Sequence, residues 1–280
     1  TAGSIGSDQL ICEGITAPLI QTVAATGGSG IYTYQWQKST ISSITGFYDI
    51  EGATGIDYAP GSLSQTTWYK RLVSSQGYNS APSASNTVTI TVTPPVSNNL
   101  IIAPVLRRFC QSADPTKIIG TTPSGGNGSY TYQWMIKPVD GDCTPIPGAT
   151  SKDYDPGILM NTTGFRRVVI SGNCIYTSNA VRITVTQPLI NNIISGNQTI
   201  TSDNKPEKLT GTVPEGGDTQ KVYLWESSTL SDTSGFVPAS GINSEQNYSP
   251  PMLAKTTYFR RKVTSGICPP IYSNSVKITV

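Results

Sequence analysis

Five cysteines, a recurring strand arginine and strips of alternating aromatics are the side chains of this 280-residue sequence with chemistry to offer. Their types narrow the options. The chain has no histidine, and the common acyl-transfer triads and most zinc sites need an imidazole. Its 17 carboxylates sit mostly beside turn residues, among them Asp8, Asp140, Asp142 and Asp203, rather than as facing pairs suited to glycoside hydrolysis. The stretch "VDGDC", 139–143, lacks the alternating oxygen ligands of a calcium loop. The expectation is a protein without catalytic residues, cofactor or metal.

Net charge is +2 and only 13% of residues are charged, so no basic face is available to neutralise phosphates and nucleic acid is not expected as a partner. No apolar run reaches the length of about 18 residues that crosses a bilayer, so no direct membrane insertion is expected. The sequence starts at Thr1 with no leader and reads as a mature secreted protein or an excised piece. Cysteines without His or a CxxC pair point to oxidised, extracellular chemistry.

The strip "GGSGIYTYQW", 27–36, returns as "GGNGSYTYQW", 125–134. Alternation places Tyr32, Tyr34 and Trp36 on one face of a strand. The composition is rich in β-formers with Gly 27 and Pro 20 spread along the chain, and no stretch keeps helical spacing. Three anchors recur about every 95 residues: Trp36, Trp134 and Trp225; Tyr58, Tyr154 and Tyr248; Arg71, Arg167 and Arg261. Around them stand "TTWYKRLV", "TTGFRRVV" and "TTYFRRKV", then "SNTVTITV", "SNAVRITV" and "SNSVKITV". Proline-bearing joints, "TPPVSNN" and "TQPLINN", separate the units, giving repeats at 1–94, 95–187 and 188–280.

Each unit fits an all-β, immunoglobulin-like Greek-key sandwich of about seven short strands with turn signals between them. In the first repeat, strands are expected over 19–26, 31–38, 47–50, 67–74 and 87–93, with a looser one before Cys12. Trp36, Trp134 and Trp225 then read as core rather than as a ligand strip, since a Trp on the third strand centres such sandwiches. The outermost aromatic, replaced by Lys221 in the third repeat, belongs at the rim. Arg71, Arg167 and Arg261 each lie between an aromatic and a valine on one face. They read as structural, the stem packed and the head paired with a turn carboxylate or carbonyl.

Cys12 and Cys110 precede their Trp by the same interval of about two dozen residues, and Cys174 and Cys268 follow their Arg by the same short interval. Tyr78 and Thr201 fill the vacant slots, so only the second repeat keeps both. A Greek-key sandwich is expected to bring the two slots to one end, giving a Cys110–Cys174 bridge whose closed loop stabilises by about 4 kcal/mol. Cys12, Cys143 and Cys268 would then be unpaired.

With these phrases in place, the repeat resembles the tandem immunoglobulin-like (PKD-like) modules of very large Bacteroidetes surface proteins, the SprB-type gliding-motility adhesins among them. The resemblance rests on "GGSGIYTYQW", "GATGIDYAPGSL", "TTWYKRLV" and "SNTVTITV" and covers essentially the whole chain. The third repeat departs most, with "KVYLW" and no early cysteine. It implies export by the type IX pathway to an outer-membrane-associated filament whose partners are neighbouring repeats and extracellular surfaces or polysaccharides. The sorting domain of such proteins is not in the sequence, which therefore reads as an internal segment.

Two functional classes follow. One is an adhesive structural stalk, extended because its short proline joints limit bending; the other is a set of carbohydrate-binding or spacer modules of a polysaccharide-active enzyme. The module reading needs exposed aromatics, of which Trp68 is the best candidate, with Gly164 and Tyr258 in its place elsewhere.

Overall fold

A computed structural model describes residues 1–14, 18–77 and 81–280, and among them there is no helix. Tyr78 lies outside the described residues. The described residues of the first repeat form eight strands: β1 (Ser4–Ile5), β2 (Gln9–Cys12), β3 (Gln21–Val23), β4 (Tyr32–Ser39), β5 (Tyr48–Asp49), β6 (Thr67–Ser75), β7 (Ser83–Ala84) and β8 (Val88–Thr93). Its main sheet runs β2-β8-β6-β4-β5, with β7 on β6, and β1 pairs with β3 across the sandwich. All these pairs are antiparallel except β2–β8, where Cys12 lies opposite Thr93. The same order recurs in the second repeat, with Arg108–Cys110 parallel to Val181–Thr186, and in the third, with Gln198–Thr199 parallel to Val276–Thr279. The chain is therefore all-β, three tandem immunoglobulin-like sandwiches.

Strand β6 shows why the alternating sequence folds this way. Thr67, Tyr69, Arg71 and Val73 are buried in turn while the residues between them are partly exposed, the period-2 pattern of a sheet with one packed face. Behind it Trp36, Tyr58 and Tyr69 stack in series at 5.6 and 6.1 Å between ring centroids. Trp134–Tyr154–Phe165 and Trp225–Tyr248–Phe259 do the same. All three Trp are fully buried. Each indole N–H is spent on a loop carbonyl at 2.9 Å, of Gly55, Ser151 or Glu245, which satisfies the one polar group the ring carries into the core.

The recurring "SN" is a latch. Asn86, Asn179 and Asn274 each accept from and donate to the backbone of Ile5, Ile101 or Ile194 on the opposite sheet. The preceding serine hydroxyl accepts the strand arginine's own N–H at 2.8–3.0 Å. This polar dipeptide ties the two sheets where a hydrophobic pair could not set register.

Candidate functional site

The aromatic strip and the repeated arginine form one stack. Arg71, Arg167 and Arg261 are fully buried, and their guanidinium carbons lie 4.6, 4.9 and 4.9 Å from the ring centres of Tyr34, Tyr132 and Tyr223. Farther out, the Tyr32 and Tyr130 hydroxyls donate to Gly27 and Gly125 carbonyls at 2.6 and 2.7 Å, closing the glycine turn. The strip thus runs from turn clasp to cation to core Trp.

No carboxylate meets these cations. Arg167 donates to the carbonyls of Lys152 and Thr121 at 3.0 and 2.9 Å and holds Asn99 Oδ1 through Nε and Nη2 at 3.2 and 3.0 Å. Arg261 repeats this with Gln246, Thr212 and Asn192. Among the described residues Arg71 meets only the carbonyls of Ile56 and Ala2, and its buried Nε has no partner there. Burial lowers the pKa of all three guanidinium groups, and the facing tyrosine opposes that shift. The head approaches so closely that a Cβ at Gly120 or Gly211 would collide with it. In the first repeat Gln21 takes that slot, the β1–β3 register shifts between Ser4 and Ile5, and Gln21 Oε1 is also left unpaired. Asn99, Asn192, Gly120 and Gly211 were not anticipated from sequence; their signal was the doubled "NN" of each joint and the glycine of "IIGTT" and "LTGTV".

The surface hollows beside these clamps offer no reactive constellation. In the second repeat one is lined by Lys117, Lys152, Asp153 and Asp155, and its counterpart in the third by Lys208, Glu245, Gln246 and Asn247. Asp153 and Asn247 already accept the backbone N–H of Gly120 and Gly211. Among the described residues no group of three His, Cys, Asp or Glu could hold a metal ion, and no helix is long and apolar enough to cross a membrane. Trp68, the candidate binding aromatic, is partly buried on β6.

The distinctive geometry is at the joints, and it corrects the expected bridge. Cys110 and Cys174 do not pair with each other. Cys12 is bonded to Cys174 and Cys110 to Cys268, with Cα separations of 5.6 and 5.1 Å. Each bridge joins the early cysteine of one repeat to the late cysteine of the next, and the exposed Cys143 alone is free. The reason is the parallel first strand. Because β2 runs beside β8 in the same direction, Cys12 finishes level with Thr93, where the chain leaves the repeat. The late slot follows the strand antiparallel to that last one, so Cys174 sits at the opposite pole, where the chain enters. Within one repeat the two slots are a strand length apart, on the order of 25 Å; across a joint they meet within reach of a disulfide.

Other joint contacts are sparse. At the first, Val96–Ser97 pairs with Ser124–Gly125, and the Tyr176 hydroxyl lies 3.5 Å from the Pro94 carbonyl. At the second, Gly217 N–H donates to Gln187 at 2.8 Å, and Thr186 and Arg108 both reach Asp218. The Arg108–Asp218 pair is 3.7 Å apart and largely exposed, the kind of ion pair that contributes about 0–1 kcal/mol.

Tandem immunoglobulin-like sandwiches stapled across their joints by disulfides define the class, one whose chemistry belongs to an oxidising compartment. The sequence pattern of a family described as "domain of unknown function (DUF8696)" matches residues 1–94, 103–187 and 190–280, and the chain belongs to that family in three copies. No curated protein matches. Solved structures similar to it include Drosophila OTK extracellular domains 3–5, 12% identical over 99% of this chain and 95% of that one, TM-score 0.35. Titin domains A168–A170 are 13% identical over 98% and 96%, TM-score 0.40. Chicken CNTN1 FN1–FN3 domains are 13% identical over 99% and 97%, TM-score 0.26.

Proposed function

We propose that the chain is an adhesive and structural segment of a large extracellular cell-surface protein, its repeats 1–94, 95–187 and 188–280 acting as a stiff spacer rather than as enzymes. The observation that carries this is the double connection at each joint. Backbone and disulfide together cross it, and two separate tethers restrict bending and twisting beyond what the short proline linker alone does. The polar groups lining the strips and clamps are committed to the fold, which favours contact through many weak surface sites over one deep pocket. The phrasing shared with SprB-type repeats extends the reading to a type IX-exported, outer-membrane-associated filament that touches surfaces or polysaccharides, as in gliding.

Small-angle scattering tests the spacer. Three repeats of about 40 Å each, end to end, give a longest dimension on the order of 120 Å, and a compact particle would refute the rod. Glycan-array binding by a single isolated repeat would replace the stalk with the carbohydrate-module reading.

A further inference from the structure

The two bridges are staggered, and their overlap sets the path that tension takes. Cys12–Cys174 and Cys110–Cys268 span 162 and 158 residues of sequence, and the two spans share the segment 110–174. A pull on the two ends follows the shortest covalent route. It enters along 1–12, crosses to Cys174, runs backward through the second repeat to Cys110, crosses to Cys268 and leaves along 268–280. We propose that the staggered bridges form a load-bearing covalent track that takes residues 13–109 and 175–267, including both joints' peptide linkers, off the line of tension.

The sheet suits that path. Cys110 ends a strand parallel to Val181–Thr186, which is antiparallel to Thr163–Ser171, the strand just before Cys174. Tension between Cys110 and Cys174 therefore acts along these strands from opposite poles. It shears the ladder, loading its hydrogen bonds together, rather than unzipping them in turn. The end segments are held likewise: β2 lies parallel to β8, and Val276–Thr279 pairs with both Gln198–Thr199 and Thr257–Ser265. The joints themselves, with few contacts of their own, are the places such a track relieves most.

The experiment is single-molecule extension of the whole chain held at its two ends. The track contains about 90 residue links and the open chain about 280, so at roughly 3.5 Å per residue the oxidised protein should reach about 300 Å and the reduced one about 1,000 Å. Cys12→Ser or Cys268→Ser, leaving one bridge, should each give about 400 Å. A Cys110–Cys174 bridge would instead let the oxidised chain reach about 750 Å and would overturn the proposal, as would an oxidised chain that extends fully. A second measurement cuts the backbone. With protease sites placed at 94–97 and 187–190, the doubly cleaved oxidised chain should remain one covalent species and still hold load, separating into three pieces only with reductant. Pieces that part without reductant would refute the track. Both outcomes are independent of what surface the protein binds.

Discussion

Replacing Arg167 with Met tests whether a buried cation without a carboxylate can be a structural element. The substitution keeps the apolar stem and removes the guanidinium. It orphans three acceptors that the head serves: the Lys152 and Thr121 carbonyls and Asn99 Oδ1. An unsatisfied buried acceptor costs about 1–3 kcal/mol, so the three together cost about 3–9 kcal/mol. Against this stands the relief of no longer burying a charge, a cost visible in the lowered pKa of Arg167. Its hydrogen-bond partners are neutral and the nearby Asp153 gives only a minor favourable interaction, so the relief offsets part of the loss. We expect a net destabilisation of the second repeat by about 3 kcal/mol.

Hydrogen exchange in the oxidised intact chain reads this locally, through the amides of 131–137, whose strand pairs with that of Arg167. Asn99→Ala should cost less, about 1–2 kcal/mol, because Arg167 keeps its two carbonyls as Arg71 does, and the other bond lost is the amide's donation to the Tyr176 carbonyl. The double variant should cost less than the sum, since Asn99 Oδ1 needs a donor only while the side chain is there. A loss below about 1 kcal/mol for Arg167→Met would refute the argument. It would mean the two loops close on one another or on water without the cation.

Trp134→Ala, at the centre of the second core, should destabilise that repeat by about 3–5 kcal/mol, checked by denaturant unfolding of the oxidised chain. Burial, with a smaller push from nearby Tyr58, drives the Tyr69 hydroxyl up to about 12. Its contribution is complete below pH 10, the unfolded value, and is lost as pH rises from 10 to 12, an effect of about 2–3 kcal/mol. Stability of the first repeat should fall over that range in the native protein, and in Tyr69→Phe, which copies Phe165 and Phe259, the fall should shrink. Non-reducing peptide mapping should link Cys12 to Cys174 and Cys110 to Cys268. A maleimide added to the native protein should label Cys143 alone.

Much of this was legible because it depends on period and side-chain type. Trp36, Tyr58 and Arg71 with their counterparts mark the same three places in each sandwich, and β6 and its equivalents alternate without a break. The bridges were not legible, because position in a repeat says which slots are equivalent but not which pole each occupies. That depends on the direction of β2, four residues that pair in parallel with β8 and carry no turn signal to reveal it. The partners of the arginines were half visible. Carbonyls were anticipated as one option, but Asn99 and Asn192 lie in joint segments whose prolines and asparagines read as linker. Trp68, replaced by Gly164 in the second repeat and Tyr258 in the third, lies partly buried beside Ser39 on the neighbouring strand.

Where the covalent bonds fall follows from where other stabilisation is scarce. Each repeat has its own closed core: a stacked aromatic triplet, a caged arginine and an asparagine latch, present in the outer repeats as well as the middle one. None contains an internal disulfide among the described residues. The joints have no comparable core. They offer a two-residue strand pair, a few hydrogen bonds and an exposed ion pair, too little to fix one sandwich on the next against thermal motion. A bridge within the second repeat would add about 4 kcal/mol to a unit already closed by its core, whereas a bridge closing about 160 residues across a joint adds about 5 kcal/mol and also fixes orientation. The parallel first strand makes the second choice available, by carrying one cysteine to the exit pole while the last hairpin carries its partner to the entry pole of the next repeat. Thr201, in the early slot of the third repeat, is exposed, and Tyr78 fills the late slot of the first. The four bridging cysteines of this chain therefore occupy the slots that face each other across its two joints.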